Sequence, residues 1–458
     1  MNIWWIRRDL RLTDNVALSS ALAAGKGVVP VFILDEYLIH SKAEKRLSFL
    51  FDGLRRLRED LRNRGSDLII RLGNPEIEIP TLAAAVNADQ VFAEEDFSPY
   101  AIRRDAKIQR LLPLRLVQGL VIHPPASVTK PDHSPYTIFT PFSNAWRALP
   151  RPSSQLSSPK QLNSLPPLSH GSIPETPAVS SFLAGEAEAI NRLNDFLEDA
   201  LLNYAENRDR LDLDGTSTLS PYLHFGMLSS RMMFNAAIDK MSEAKDYYPL
   251  KSINAWINEL IWREFYQSVL YHFPNVLKES FKERFRTFQW RESQSDLHAW
   301  QEGRTGYPVV DAGMRQLSAT GWMHNRVRMI TASFLAKDLL INWQEGEHWF
   351  MQSLIDGDLA ANNGGWQWIA GTGTDAAPYF RIFNPVLQGK KFDPSGVYIR
   401  KWIPELERVP LQYLHAPWEM PAEAQRLAGV NIGVDYPNPL IDHATAWKRA
   451  LSSYQSMR

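Results

Sequence analysis

The chain has 458 residues, 44% of them hydrophobic and 22% charged, a length that implies about two to three domains. It contains no cysteine, which excludes disulfides, thiolate catalysis and Cys-ligated zinc or iron–sulfur centres. Its net charge of −1 excludes an overall basic nucleic-acid binder, so any nucleic-acid face must be a local patch.

In chain order, the N-terminal MNIWWIRRDLRL places a short apolar run before three arginines. That is the wrong order for a secretory leader, and no later run approaches the ~20 apolar residues of a membrane span, so a cytoplasmic protein is expected. Over residues 1–125, β-branched apolar runs at 2–6, 27–34, 67–72, 89–93 and 115–122 alternate with helical patterns. In 43–64, Leu47, Leu50, Leu54, Leu57 and Leu61 recur at spacings of three and four before Gly65. The alternation predicts an α/β domain, a doubly wound parallel sheet with helices on both faces and a ligand edge at the carboxyl ends of its strands. The first strand leads into Arg7, Arg8 and Arg11. They read either as an anion loop or as a solvated turn before a helix capped by Thr13 or Asp14, and this loop alone points to the second. No G-x-G-x-x-G follows the strand, so the dinucleotide fingerprint is absent.

Residues 150–181 hold seven Pro and nine Ser in 32, a composition that supplies no core, and 126–185 is taken as a linker. From 186 to 458 helical periodicity dominates, at 186–203, 250–273, 309–320 and 325–341. This predicts a large all-α domain.

Four stretches carry chemistry. On the helix 250–273, Trp256, Glu259 and Trp262 are spaced by three, and Arg263 follows Glu259 by four. Two indoles around a carboxylate make a flat apolar slot for a planar heterocycle with N–H groups; the alternative is a buried face with a surface Glu–Arg pair. In GTSTLSPYLHFG, 215–226, Thr216, Ser217, Thr218 and Ser220 crowd hydroxyls before a helix whose first turn suits Pro221. This is an anion site, or Ser220 is simply an N-cap. In 320–334, His324, Asn325, Arg326 and Arg328 bring polar and cationic groups beside an apolar helix. In 354–368 come Asp356, Asp358, Asn362, Trp366 and Trp368. The two aspartates have no third ligand at metal spacing, so no metal is expected, and Asp356 should pair with an arginine. The segment NGGWQWIAGTGTD, 363–375, has four glycines and two tryptophans, and reads as loose backbone rather than helix or strand. G-x-S-x-G and H-E-x-x-H are both missing. Aromatic pockets and hydroxyl loops without acid–base apparatus point to a bound cofactor that carries the reaction.

WWIRRDLRLTDNVAL, WINELIWREFY, TGYPVVDAGMRQLSATGWMHNRVRMITASFL and DGDLAANNGGWQWIAGTGTDAAPYFRIFNP resemble the photolyase/cryptochrome family. Within it they are most similar to class I photolyases that act on cyclobutane pyrimidine dimers. The resemblance covers nearly the whole chain and is densest over 250–400. It implies an N-terminal α/β domain at 1–125, a linker at 126–185 and a helical domain at 186–458 that holds FAD. Tyr204, Thr216, Ser217, Thr218, Leu219 and Ser220 would contact FAD, as would Trp256 and Arg263. Asn362 would face the flavin N5, Arg328 and Asp356 would pair beside the isoalloxazine ring, and Asp358 would lie near the ribityl and adenine side.

The implied reaction is light-driven electron transfer from reduced FAD to a dimer flipped out of the duplex. Glu259 would bond the thymine edge, Trp262 and Trp368 would pack on the dimer, and Asn325 and Met329 would line its pocket. Arg326 would meet DNA phosphate, in a patch with Lys282, Arg284 and Arg286. Trp366, Trp343 and Trp290 match the family's electron-transfer chain. The implied partner is DNA containing cyclobutane pyrimidine dimers, met by a monomer. The rival functions are a cryptochrome-type blue-light receptor and a (6-4) photolyase. The latter resembles H-H-x-x-R-H, with histidines where Asn325 and Met329 stand here. For a second, antenna chromophore, members using methenyl-tetrahydrofolate carry Glu where Ser98 stands. Phe97-Ser98-Pro99-Tyr100 and Arg46 look more like members that bind a deazaflavin or a second flavin.

Overall fold

Five apolar runs form one parallel sheet: β1 (Asn2–Ile6), β2 (Val28–Asp35), β3 (Ile69–Gly73), β4 (Gln90–Glu94) and β5 (Leu114–Val117), in the order β3-β2-β1-β4-β5. Register pairs Trp4 with Pro30, Phe32 with Ile70 and Phe92 with Arg115. β1 and β2 are buried along their whole length. Both faces are covered, which is why these strands read as unbroken apolar runs rather than alternating ones. The connecting helices are α1 (Val16–Ala23), α2 (Glu44–Arg62), α3 (Pro75–Ala85) and α4 (Pro99–Gln109).

This computed structural model describes residues 1–39, 43–153, 155–177, 181–378 and 380–457. Residues 154 and 178–180 of the expected linker, and Tyr379 of the DAAPYFRIFNP motif, lie outside the described residues. The chain divides into two units, Met1–Ala205 with Thr216–Pro274, and Glu206–Gly215 with Asn275–Arg458. This division differs from the one at 125 and 185 read from the sequence.

In the first unit the arginine loop after β1 is neither an anion loop nor solvated. Arg11 is 1% exposed. Its guanidinium donates to Glu94 Oε1 at 2.6 Å, to the Asp14 carbonyl at 3.0 Å and to the Gly226 carbonyl at 3.1 Å. Arg7 pairs with Asp105 at 2.5 Å, and Arg8 Nε donates to the His224 carbonyl at 2.9 Å. A buried cation persists only when paired and hydrogen-bonded, and these partners lie up to 216 residues away in the chain. The cap of α1 is Asn15, not Thr13 or Asp14: its side chain accepts from the Leu18 amide at 2.8 Å. Asp14 instead accepts from Ser229 Oγ and from Arg231, each at 2.5 Å.

The Pro/Ser-rich run is held by arginines. Arg58 donates to the carbonyls of His170 and Gly171, Arg71 to Ser169 and Arg64 to Pro159. The Ile70 amide adds a bond to the His170 carbonyl at 2.8 Å. At Gly171 (φ +67°) a Cβ would sit 2.2 Å from the Ile70 carbonyl oxygen, so no side chain is tolerated there. A segment with few partners of its own thus has its carbonyls satisfied from the domain it crosses.

Within 126–185 there is also a helix, α5 (Phe139–Ala148). It is followed by α6 (Glu186–Glu198), α7 (Ser220–Phe225), α8 (Ser230–Glu243) and the long α9 (Tyr247–His272). The last apolar run, expected as strand to 122, leaves the sheet at Val117. The Ile122 and His123 amides bond Glu264 of α9 instead. This buried carboxylate also accepts from Trp146 Nε1 of α5 at 2.6 Å.

The second unit is helical around a core that includes Trp300, Trp343, Phe350 and Trp366. Its main elements are α10 (Pro308–Thr320), α11 (Asn325–Ser333), α12 (Trp343–Ser353), α13 (Leu359–Ala370) and α14 (His443–Gln455). The helix expected over 325–341 is α-helical only to Ser333 and continues as a π-helical turn, Phe334–Asp338. The stretch 363–375 is not loose: α13 runs through Asn363–Ala370 and stops at Gly371, φ +81°. Packing overrides weak propensity here. Gln367 of α13 donates to the Val276 carbonyl at 3.0 Å and accepts from the Phe281 amide at 2.9 Å. Among the described residues no helix is long and apolar enough to cross a membrane.

Glu264→Ala strands three donors, the Ile122 and Trp146 ones buried, and should lower the unfolding free energy by about 3 kcal/mol. Glu264→Gln, which keeps an acceptor, should lose less. Urea midpoints of the two variants against wild type check this order.

Candidate functional site

The first unit carries one group of candidate residues. On α9, Trp256 is buried against Phe196, with ring centroids 5.1 Å apart, and Phe196 also meets Tyr204 edge-on at 5.9 Å. Trp256 Nε1 donates to Ser217 Oγ at 3.4 Å, which ties the hydroxyl loop to α9. Thr216, Ser217 and Thr218 are half-buried, and Leu219 is buried. Thr218 sits at φ +50°, and its hydroxyl receives Arg192 Nη1 at 3.4 Å. Ser220 is the first residue of α7 with Leu219 before it, so Ser220 is not the N-cap that the simpler reading required.

Trp256 and Trp262 do not enclose one slot between them. Steps of three residues rotate backwards by about 60° each, so the two indoles lie about 120° apart around the helix. Trp256 faces Phe196. Trp262 stacks on Phe139 of α5, centroids 3.7 Å apart and planes 3° apart. Glu259 stands half-buried between them along the helix. Arg263 Nη1 donates to the Leu120 carbonyl at 3.1 Å.

The second unit carries the other group. Asn325 and Met329, one turn apart on α11, touch: Asn325 Nδ2 lies 3.9 Å from Met329 Sδ. Arg328 Nη2 pairs with Asp356 Oδ2 at 2.8 Å, as expected, and its Nε donates to the Met323 carbonyl at 2.8 Å. Asp358 caps α13, accepting from the Ala360 and Ala361 amides at 3.0 Å. One turn on, Asn362 Nδ2 donates to the Glu347 carbonyl at 3.0 Å. The two aspartates therefore have separate structural uses, and among the described residues no three His, Cys, Asp or Glu side chains are placed to hold a metal.

Trp366 and Trp343 share the buried core, and Trp290 is half-buried at its margin beside Phe288, 4.4 Å between ring centroids. Trp366 meets Phe350 edge-on at 5.0 Å, and a Cβ on Gly346 would sit 2.1 Å from its Cη2, so that glycine makes room for the indole. Trp366 Nε1 is buried without a hydrogen-bond partner among the described residues. Trp368 is half-buried beside the same core.

The cations expected for nucleic acid are already engaged. Arg326 pairs with Asp209 at 2.6 Å and lies 4.6 Å over the Phe392 ring. Arg286 pairs with Glu279 at 3.1 Å, Lys282 Nζ donates to the Gly371 carbonyl at 3.3 Å, and Arg284 lies over Phe285.

Sequence reading missed Phe139 and Asp209. The first had a signal: Phe139, Phe142 and Trp146 recur at helical spacing inside the supposed linker. The second had none, because Asp209 is 117 residues from its arginine.

The residues suit a flavin nucleotide by their chemistry. Half-buried hydroxyls precede α7, a type of donor set that phosphates use. On α13, a carboxylate and a carboxamide stand one turn apart, beside an ion pair that fixes Asp356.

Two family models match the chain: "DNA photolyase" over residues 2–161 and "FAD binding domain of DNA photolyase" over 256–456. A protein named deoxyribodipyrimidine photo-lyase from Escherichia coli is 40% identical, over 99% of this chain and 98% of its own. One of the same name from Agrobacterium fabrum is 37% identical, over 100% and 98%. Among solved structures, a class III photolyase from Agrobacterium tumefaciens superposes with a TM-score of 0.94 at 37% identity, covering 100% of this chain and 97% of its own. A Synechocystis cryptochrome gives 0.90 at 30% identity, covering 99% and 98%. A Sulfolobus tokodaii photolyase with two FAD molecules gives 0.85 at 30% identity, covering 100% of both.

His324 caps α11, its Nδ1 accepting from the Arg326 amide at 3.1 Å. Burial lowers its imidazole from 6.5 to about 4, with Asp209 opposing the shift and Arg326 and Arg328 adding to it. Between those values the unfolded chain binds the proton and the folded chain does not, so stability falls as pH drops through this window. At pH 5 this term should remove about 2 kcal/mol relative to pH 7. Urea titrations at the two pH values should show the drop, and His324→Asn, which caps without titrating, should show a smaller one.

Proposed function

Because this chain belongs to the DNA photolyase family, we propose that it repairs cyclobutane pyrimidine dimers in DNA under light, the activity of a deoxyribodipyrimidine photo-lyase. The observation that carries this reading is similarity over the full length, at 37–40% identity, to relatives that bear that one name.

FAD, when bound, would supply the light-excited electron donor. Tyr204, Thr216, Ser217, Thr218, Leu219, Ser220, Trp256 and Arg263 would hold it, the hydroxyls being the type of donor that phosphates use. By the family resemblance Arg328, Asp356, Asp358 and Asn362 would serve the same cofactor. Arg328 holds the Asp356 side chain in place through their 2.8 Å ion pair. Glu259 accepts hydrogen bonds from the pyrimidine edge. Trp262 and Trp368 offer flat faces to the dimer. Asn325 and Met329 would offer the dimer groups that carry no labile acidic proton, which suits splitting by electron transfer and not the proton transfer that a 6-4 lesion requires. Trp366, Trp343 and Trp290 form a chain of indoles for reducing the cofactor. Arg326 reaches a DNA phosphate by sharing or releasing Asp209, so its contribution to affinity is smaller than that of an unpaired cation. The protein is read as a cytoplasmic monomer.

A second chromophore, flavin- or deazaflavin-like, is proposed at the carboxyl ends of β2 and β4. There Tyr37, 74% exposed, stacks on Tyr100 at 4.9 Å, and Arg104 lies over Trp5 and Tyr100. Ser98, where folate-using members carry Glu, caps α4.

The test is rescue of a bacterium that lacks both photolyase and excision repair. After ultraviolet exposure, cells expressing the chain should regain survival at least about tenfold in visible light, and none in the dark. Glu259→Ala should lose most of the rescue yet retain FAD. The action spectrum should show a band beyond that of reduced FAD if the second chromophore is present. Equal survival in light and dark, with FAD bound, would contradict the reading.

A further inference from the structure

Phe139 begins α5, in a stretch whose composition suggests only a linker. Its ring lies face to face with that of Trp262, 3.7 Å away and tilted by 3°. Phe265 meets both rings edge-on, at 5.9 Å from Phe139 and 5.6 Å from Trp262. The indole therefore has a flat wall on one side and an aromatic edge beside it, and turning it would forfeit the stack. The wall is itself anchored: Phe142 of α5 packs on Phe265 at 5.2 Å, and Trp146 bonds Glu264 of α9.

We propose that Phe139 is a positioning residue for lesion recognition, fixing the plane of Trp262 so that the indole meets a dimer in one preset orientation. This rests on the reading that Trp262 packs against the dimer. An indole without its wall samples several rotamers, and binding must then select one. The expected cost is about a two- to tenfold weaker affinity for the dimer. Undamaged DNA does not use the indole, so its binding should not change.

The experiment measures binding in the dark, by fluorescence anisotropy, of an oligothymidine with one cyclobutane dimer to the FAD-loaded protein. Phe139→Ala should weaken dimer binding about two- to tenfold and leave the flavin spectrum and undamaged-oligonucleotide binding unchanged. Phe139→Tyr, which keeps the flat face, should bind as wild type. Phe139→Leu, which keeps bulk without the face, should bind weakly, and it carries the test if the alanine variant does not fold. In a Trp262→Ala background, Phe139→Ala should have no further effect. If Trp262→Ala weakens binding but neither Phe139→Ala nor Phe139→Leu does, the positioning role is overturned and the dimer reading stands. If Phe139→Ala still weakens binding without the indole, Phe139 acts by another route and the proposal fails. If Trp262→Ala itself binds dimers normally, the underlying reading of Trp262 falls.

Discussion

The carboxylate of Glu264 is buried in the first unit and receives three donors: two backbone amides from the segment leaving the sheet, and the Trp146 indole. Desolvation raises its pKa, and these donors oppose the rise. The bond network does more than satisfy one charge. It fixes α5 and the chain after β5 to α9, the helix that presents Trp256, Glu259, Trp262 and Arg263. Because α9 is held at Glu264, the indoles two and eight residues earlier have defined neighbours: Phe139 for Trp262, Phe196 and the hydroxyl loop for Trp256. A helix free to slide or roll against α5 would lose both.

The second unit follows the same rule with different groups. Asp356 is held by Arg328, Arg326 by Asp209 and the His324 ring by its cap bond to Arg326. What these pairs leave around α11 is chemically quiet. Asn325 and Met329 hold no labile acidic proton, and His324 is neutral above about pH 4. Such a surrounding is poor for acid–base catalysis and well suited to a reaction in which a bound cofactor supplies an electron. The indoles of Trp366 and Trp343 lie in the core, where packing and not solvent sets their positions. Gly346 shows how closely that packing is drawn.

Much of this was legible from residue order. The parallel strands announced themselves because both faces are buried, and α9 did so through its period and its stop at Pro274. That Asp356 pairs with an arginine followed from the cost of an unpaired carboxylate, and the family resemblance pointed to Arg328 as the partner. Other features were hidden because their causes lie far away in the chain. Three arginines after β1 look solvated until Glu94, Asp105 and His224 arrive. NGGWQWIA looks too glycine-rich for a helix until Gln367 is bonded to the backbone near Val276 and Phe281. Phe139 sits next to a Pro/Ser-rich run whose composition masks a helix. The division of the chain was illegible for a similar reason: helices α6 to α9 group with the sheet through contacts that no local period records.

Every residue role proposed for this protein depends on light driving dimer reversal. The direct measurement is the return of thymine absorbance in an oligothymidine containing cyclobutane dimers, mixed with purified protein whose flavin is reduced, under blue light and in darkness. Recovery under blue light alone, with each protein molecule acting repeatedly, is the predicted result. No recovery in light, with reduced FAD bound and the dimer in excess, would contradict the account.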